Sequence, residues 1–236
     1  MGRPTSWTRS TASALDDSSV IILALDTTSE FGSLAIRSNR RTVAEAPLYS
    51  IEGYAHLIFP AVERLLTQGG VRLAEIDCFA AASGPGSFTG VRIGLSAVKG
   101  LAEATGKRAV GISNLRAMSS FGNSPLRAIV LDARRGQVFT AVYDADLHPV
   151  VPEGVGKLSD WLGTLHEPEY QLISPCRASV PLEGTRFAGM PFLESPKNLA
   201  AAVARCAEGD NWLDPAAIDA NYVRRSDAEL FWKDVQ

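Results

Sequence analysis

Apolar positions along the chain fall into short β-branched blocks, separated by polar turns and by longer stretches of helical period. Val20 to Leu25 (VIILAL) is apolar at successive positions, the pattern of a strand covered on both faces. It ends in Asp26, and the polar run Thr27, Thr28, Ser29, Glu30 follows. Gly32 to Ile36 and Thr42 to Ala44 read as two returning strands about a turn at Ser38 to Arg41. The same device recurs further along. Arg127 to Leu131 is an apolar strand ending in Asp132, Ala133 to Gly136 is a polar turn, and Val138 to Tyr143 and Val150–Val151 are the returning strands. Two copies of strand, acid, turn, strand, strand predict two related lobes, with Asp26 and Asp132 facing each other across a cleft.

The helical periods fit between these strands. Ile51 to Gln68 reads as a helix closed by Gly69 and Gly70, with Pro60 inside it, removing one backbone bond and freeing the carbonyl of His56. A strand at Ile76 to Ala82 precedes a helix at Gly90 to Ala104, which Gly106 stops. A short strand at Ala109 to Ile112 leads to a helix over Ser113 to Ser120, with Ser113 as N-cap. Near the end, Asn198 to Ala207 reads as a helix with Ser195 as N-cap and Pro196 in its first turn. Leu199, Ala202, Val203 and Cys206 share one side of that helix, which makes Cys206 a core residue. The order βββαβα followed by βββ…βα predicts an α/β protein with mixed sheets and two lobes, residues 20–113 and 114–236. Residues 152–197, rich in proline and glycine, give the least definite pattern in the chain.

Composition narrows the class. The 236 residues are 46% hydrophobic and 21% charged, with 23 Lys and Arg against 26 Asp and Glu. This is the balance of a globular chain rather than of a disordered or freestanding nucleic-acid-binding one. Three cysteines, Cys78, Cys176 and Cys206, share no metal-ligand spacing. A reducing, cytoplasmic setting is expected, and no apolar run approaches the length of a bilayer span. Met1 to Ser19 is rich in Ser and Thr without apolar period and reads as a disordered extension, a transit peptide being the alternative.

Between the strand at Ile76 and the next helix stands GPGSFTGVRIG, Gly84 to Gly94. Its glycines, with Ser87 and Thr89 ahead of a helix, have the makings of an anion nest, but neither a P-loop nor a GxGxxG pattern is present. The string itself is more specific. Together with ILALDTTSEFGSLAI, YAHLIFPAVERLL, LDARRGQVFTAVY and ANYVRR it closely resembles the TsaB (YeaZ) family, over roughly Ile21 to Arg225. The resemblance implies the two-lobed actin/Hsp70/sugar-kinase type of fold, related to ribonuclease H. It also implies a role in making N6-threonylcarbamoyladenosine at position 37 of tRNAs reading ANN codons. In that role the family member pairs with its paralogue TsaD, which performs the transfer, and TsaE serves as the ATPase partner. Contact with tRNA is then indirect, through the complex, and a homodimer is the alternative pairing.

Several residues weigh on whether the chain is itself a catalyst. Its only histidines are His56, His148 and His166, and no pair stands one helical turn apart, the arrangement that the resemblance implies for the metal-bearing paralogue. Asp26 and Asp132, with Thr27, mark at most a vestigial nucleotide site, since glycine does not follow the first acid. No metal or cofactor is therefore expected, beyond weak ATP or ADP with magnesium. For partner binding the expected residues are His56, Ile58, Phe59 and Val62 on the first helix and Gly90, Arg92, Gly94 and Ala97 on the second. Gly90, Gly94 and Ala97 are read as a stripe that admits a partner helix, so Gly94→Leu or a charge at Ile58 is expected to block pairing without unfolding the chain. The doublets Arg134–Arg135 and Arg224–Arg225 read as solvated surface or as part of a composite tRNA surface. The competing readings are a freestanding ATP-dependent transferase or glycoprotease-like peptidase, and a plain homodimeric binding module.

Overall fold

The computed structural model describes residues 20–166 and 169–223; the expected extension at residues 1–19 and the doublet Arg224–Arg225 lie outside them. The first sheet is built from β1 (Ile21–Asp26), β2 (Phe31–Ser38), β3 (Arg41–Tyr49), β4 (Cys78–Ala82) and β5 (Arg108–Ile112), in the order β3-β2-β1-β4-β5. The second comprises β6 (Leu126–Asp132), β7 (Val138–Tyr143), β8 (Pro149–Gly156), β9 (Tyr170–Ser174) and β10 (Phe192–Glu194), in the order β8-β7-β6-β9-β10. In each sheet the first three strands form an antiparallel meander and the last two join in parallel. The duplication read from the strand–acid–turn device is thus a repeated sheet topology. The fold is the two-lobed actin-like one.

Helices α1 (Ile58–Gly69) and α2 (Phe88–Thr105) cover one face of the first sheet, and α4 (Leu158–Thr164) belongs with the outer face of the second. The inner helices α3 (Asn114–Ser119) and α5 (Ala200–Ala207) follow the last strand of each sheet. They pack on each other and fill the space between the sheets. Strand β1 serves both layers, because side chains alternate across a strand. Ile21, Leu23 and Leu25 join the core beneath α1 and α2, while Ile22 and Ala24 join the inner core. Cys206 lies in that inner core, where burial raises its thiol pKa.

Several element boundaries differ from the expected ones, for identifiable reasons. The β2–β3 hairpin extends well beyond the predicted strands, because Asn39 and Arg40 both take positive φ and make a tight turn that matches strand twist. The first helix begins at Ile58 rather than at Ile51. Residues 51–57 form turns pinned by the buried Tyr54, whose hydroxyl donates to Ser29 O at 2.9 Å and accepts from Gly32 N at 2.7 Å. Pro60 therefore falls in the first helical turn, where an N–H would have no intrahelical partner, and it breaks nothing. Residues 152–197, where the sequence pattern is least definite, carry α4, β9 and β10. Ser113 does cap α3, accepting from Leu115 N and Arg116 N. Ser195 does not cap α5, whose N-terminus is held from another part of the chain.

The glycine stripe on α2 faces the molecule's own first lobe. A methyl group on Gly90 would sit 2.0 Å from Thr27 O, and one on Gly94 would sit 2.5 Å from Thr27 Oγ1, whereas Gly100 looks into open space. Thr27 Oγ1 donates to Gly90 O at 2.7 Å, locking the β1–β2 turn onto the helix. Gly90→Ala is therefore expected to lower stability by about 1–3 kcal/mol through forced repacking. Gly100→Ala should raise it by about 0.5–1 kcal/mol, since only the helix propensity of glycine is at stake there. Urea unfolding of the two variants measures both.

Candidate functional site

Asp26 ends β1 and is fully buried. Its Oδ1 accepts from Thr28 N at 3.0 Å and Thr28 Oγ1 at 2.6 Å, and its Oδ2 accepts from Leu199 N at 3.1 Å. Leu199 is the N-cap residue of α5, and the adjacent Ala200 N donates to Ser33 Oγ at 3.0 Å. Strands β1 and β2 thus supply acceptors that the start of α5 lacks in its own sequence. Asn114 at the start of α3 joins the network, its Nδ2 donating to Thr28 Oγ1 at 2.6 Å and its Oδ1 accepting from Gly84 N at 3.2 Å. Desolvation raises the carboxyl pKa of Asp26, outweighing the opposing effect of its three donors.

The expected juxtaposition of two strand-end acids is not what forms. A cleft of about 1400 Å³ lies between the lobes, and Thr27, Thr28, Asp132, Arg134 and Lys197 are among its lining, but Asp26 is not. Asp132 is exposed and accepts from Arg134 N at 2.8 Å, closing the β6–β7 turn. Arg134 and Arg135 take left-handed backbone conformations in that turn. Of the proposed nucleotide residues, only Thr27 and Asp132 reach the cleft, and the Thr27 hydroxyl is already engaged with α2.

A second concavity of about 460 Å³ runs along the outer surface between α1 and α2, lined in part by Ile58, Phe59, Phe88, Arg92, Ile93 and Ala97. Phe59 is 55% exposed and Phe88 43%. Arg92 lies over the Phe88 ring at 3.8 Å, and its Nε donates to the hydroxyl of Tyr222 at 3.1 Å. The eight residues expected to meet a partner therefore divide into separate groups. Phe59 and Arg92 are exposed on this face, and His56 is exposed in the turn before α1. Ala97 is largely buried yet forms part of the groove's lining. Ile58 and Val62 are core residues, and Gly90 and Gly94 are buried against Thr27. A charge at Ile58 or a leucine at Gly94 would accordingly attack the fold, correcting the expectation that they test pairing alone. Phe88 escapes the sequence reading because α2 begins there rather than at Gly90, Ile93 because it is an ordinary apolar position of that helix, and Tyr222 because a lone aromatic in a tail gives no periodic signal.

The remaining histidines are peripheral. His148 sits in a turn beside Asp144, Nδ1 to Oδ2 3.6 Å, and His166 is exposed. Among the described residues, no group of three or more His, Cys, Asp or Glu is placed to hold a metal ion, and no helix is long and apolar enough to cross a membrane.

The fold and site define a two-lobed actin-like protein in which the acid of the first strand caps a distant helix and an apolar outer face stands open. Comparison with known proteins gives the group. The model of the family described as TsaD: tRNA N6-adenosine threonylcarbamoyltransferase matches residues 46–209. The tRNA threonylcarbamoyladenosine biosynthesis protein TsaB of Bacillus subtilis is 34% identical over 151 residues, covering 62% of this chain and 66% of that protein. TsaB of Escherichia coli is 37% identical over 129 residues, covering 53% of this chain and 55% of that protein. In both cases the match spans less than two thirds of the relative. A crystal structure described as an uncharacterized protein with similarity to peptidase YEAZ from Pseudomonas aeruginosa superposes with a TM-score of 0.72. It is 23% identical and covers 87% of this chain and all (100%) of that one. The chain belongs to the threonylcarbamoyltransferase family, within its TsaB/YeaZ group.

The two strand-end acids should respond differently to mutation. Asp26→Ala orphans the Thr28 and Leu199 donors and is expected to cost about 2–4 kcal/mol, whereas Asp132→Ala should cost no more than about 1 kcal/mol. Because the folded carboxyl of Asp26 titrates above its unfolded value of 3.8, its contribution is greatest below that pH. The advantage of the wild type over Asp26→Ala should narrow as pH rises through the raised value. Chemical denaturation at a series of pH values measures both effects.

Proposed function

We propose that this chain is a non-catalytic subunit that pairs with a TsaD-like paralogue and activates it to form N6-threonylcarbamoyladenosine at position 37 of tRNAs reading ANN codons. The observation that carries the reading is the α1–α2 groove. Exposed Phe59 and Phe88 flank it, and Arg92 supplies a cation at the rim. Paired apolar side chains around a groove of this kind are costly to leave in water and suit a protein partner. A paralogue of the same fold carries the corresponding pair of helices, so the two chains can meet helix pair to helix pair in a pseudo-twofold arrangement. Its complementary surface would place apolar side chains in the groove and a carboxylate against Arg92.

The absence of chemistry in this chain is supported from the other side of the molecule. Asp26, the residue best placed by sequence to face a nucleotide, is spent on the start of α5. The chain accordingly acts without a cofactor of its own, binding ATP or ADP with magnesium weakly at most. A TsaE-like ATPase completes the machinery, tRNA is engaged through the assembled complex, and a second copy of this chain takes the same face when the paralogue is missing. Each of these is part of the proposal.

Reconstitution with the cognate TsaD-like and TsaE-like proteins tests it. Modified nucleoside released from tRNA should depend on this chain, and the chain should co-elute with the paralogue by size exclusion with light scattering. Phe59→Glu should leave the melting temperature within about 2–3 °C of wild type, the surface-mutation range. Complex formation should fall by at least about a hundredfold, the loss typical of a central aromatic anchor. Modification that proceeds equally well without the chain rejects the proposal.

A further inference from the structure

After α5 the chain turns back across the molecule and runs along the first lobe as a strap, residues 213–223. Leu213 pairs with the edge strand β5, exchanging backbone hydrogen bonds with Ala109 at 2.8 and 3.0 Å. Ile218 then enters the core of the first lobe. Asn221 N donates to Ser83 O at 2.8 Å, and Gly84 passes so close that a methyl group there would stand 3.1 Å from Asn221 O. The strap delivers Tyr222 to the lining of the interlobe cleft, at the corner where Phe88 and Arg92 join that cleft to the α1–α2 groove. Its ring centre lies 5.7 Å from that of Phe88, its hydroxyl accepts from Arg92, and 46% of the residue remains exposed. The guanidinium of Arg92 is thereby held from two directions, by the Phe88 face and by the Tyr222 oxygen.

The strap is also held from the other lobe. Glu153 on β8 accepts from Asn221 Nδ2 at 2.6 Å through Oε2, and through Oε1 from Tyr143 at 2.5 Å and from Ser113. A half-buried carboxylate with three donors is a strong, directional anchor. One of those donors is the residue immediately before the aromatic at that corner.

We infer that the C-terminal strap is part of the partner-docking surface, with Tyr222 a contact residue and Glu153, acting through Asn221, the positioning residue that seats it. The inference rests on the α1–α2 docking face proposed above and deepens it: the surface is assembled from both lobes. The chemistry it adds is an aromatic ring and an oriented guanidinium side by side, suited to a partner segment in which a carboxylate adjoins an apolar side chain. Aromatic and arginine side chains are also the types most often found to dominate binding energy at protein interfaces.

The test is a set of calorimetric titrations of full-length variants against the purified TsaD-like paralogue. Tyr222→Ala should weaken binding about tenfold or more, as for an interface aromatic, and Tyr222→Phe, which keeps the ring but releases Arg92, about two- to fivefold. Asn221→Ala should weaken it about three- to tenfold, the loss of one charge-assisted bond. In that variant, amide exchange at residues 218–223 should be faster and the melting temperature unchanged within about 3 °C. Phe59→Glu is the reference for the groove. If Tyr222→Ala and Asn221→Ala bind like wild type while Phe59→Glu does not, the strap is excluded and the groove stands. If Phe59→Glu also binds like wild type, the docking face is misplaced and the strap falls with it.

Discussion

The start of α5 has no capping side chain of its own, and much of the architecture follows from where its acceptors are found. Asp26 and Ser33 satisfy Leu199 N and Ala200 N across the sequence, so the helix that ends the second lobe is fastened to the first. Burying a carboxylate this completely is costly unless its oxygens are well satisfied. Here Thr28 contributes two of the donors and α5 the third. The same threonine hydroxyl takes a hydrogen bond from Asn114, which ties the start of α3 to the identical point. Both inner helices therefore begin against the end of one strand. The packing of α3 on α5 between the sheets is set by polar contacts as well as by the apolar cluster around them.

This arrangement leaves two concave surfaces, which meet at Phe88, Arg92 and Ile93. The cleft between the lobes is roomy and carries basic side chains, yet the acid at the end of β1 turns away from it into the protein. The outer side of the first lobe carries the exposed aromatic residues, and α1 and α2 present them from a base that is itself firmly packed. Thr27 bonds to α2 at Gly90 and packs closely on it at Gly94, so one wall of the groove is tied directly to the end of β1.

Much of this was legible in the sequence. Continuous apolar blocks ending in an acid marked β1 and β6, and their repetition announced the duplicated sheet. Ser113, Gly70 and Gly106 marked helix ends by local chemistry that needs no tertiary context. What the sequence concealed was tertiary. The start of α1 was missed because Tyr54, apolar in pattern, is used as a hydrogen-bonding pin in a turn. The cap of α5 has no local signature, because its acceptors, Asp26 and Ser33, lie far away in the chain. By spacing alone the small residues of α2 look like an invitation to a partner, but a methyl group at Gly90 or Gly94 would collide with Thr27. Spacing shows that residues share a helix face; it does not show which neighbour that face meets. The short strands β9 and β10, set among prolines and glycines, owe their order to pairing, β9 with β6 and β10 with β9, rather than to their own period.

The string GPGSFTGVRIG shows what such a motif records. Gly86 passes against Thr28, Gly90 against the carbonyl of Thr27, and Gly94 against its hydroxyl, with Ser87 capping the helix that begins between them. Every one of these requirements concerns the route of the backbone around one turn, and none concerns a reacting atom. Two chains that share the string inherit a common scaffold at that corner, and through it a common way of presenting the helix outside. Whether either of them makes or breaks a bond is written elsewhere, in the side chains that line the cleft. A lineage could lose its chemistry altogether and keep this signature intact for as long as it needed the shape.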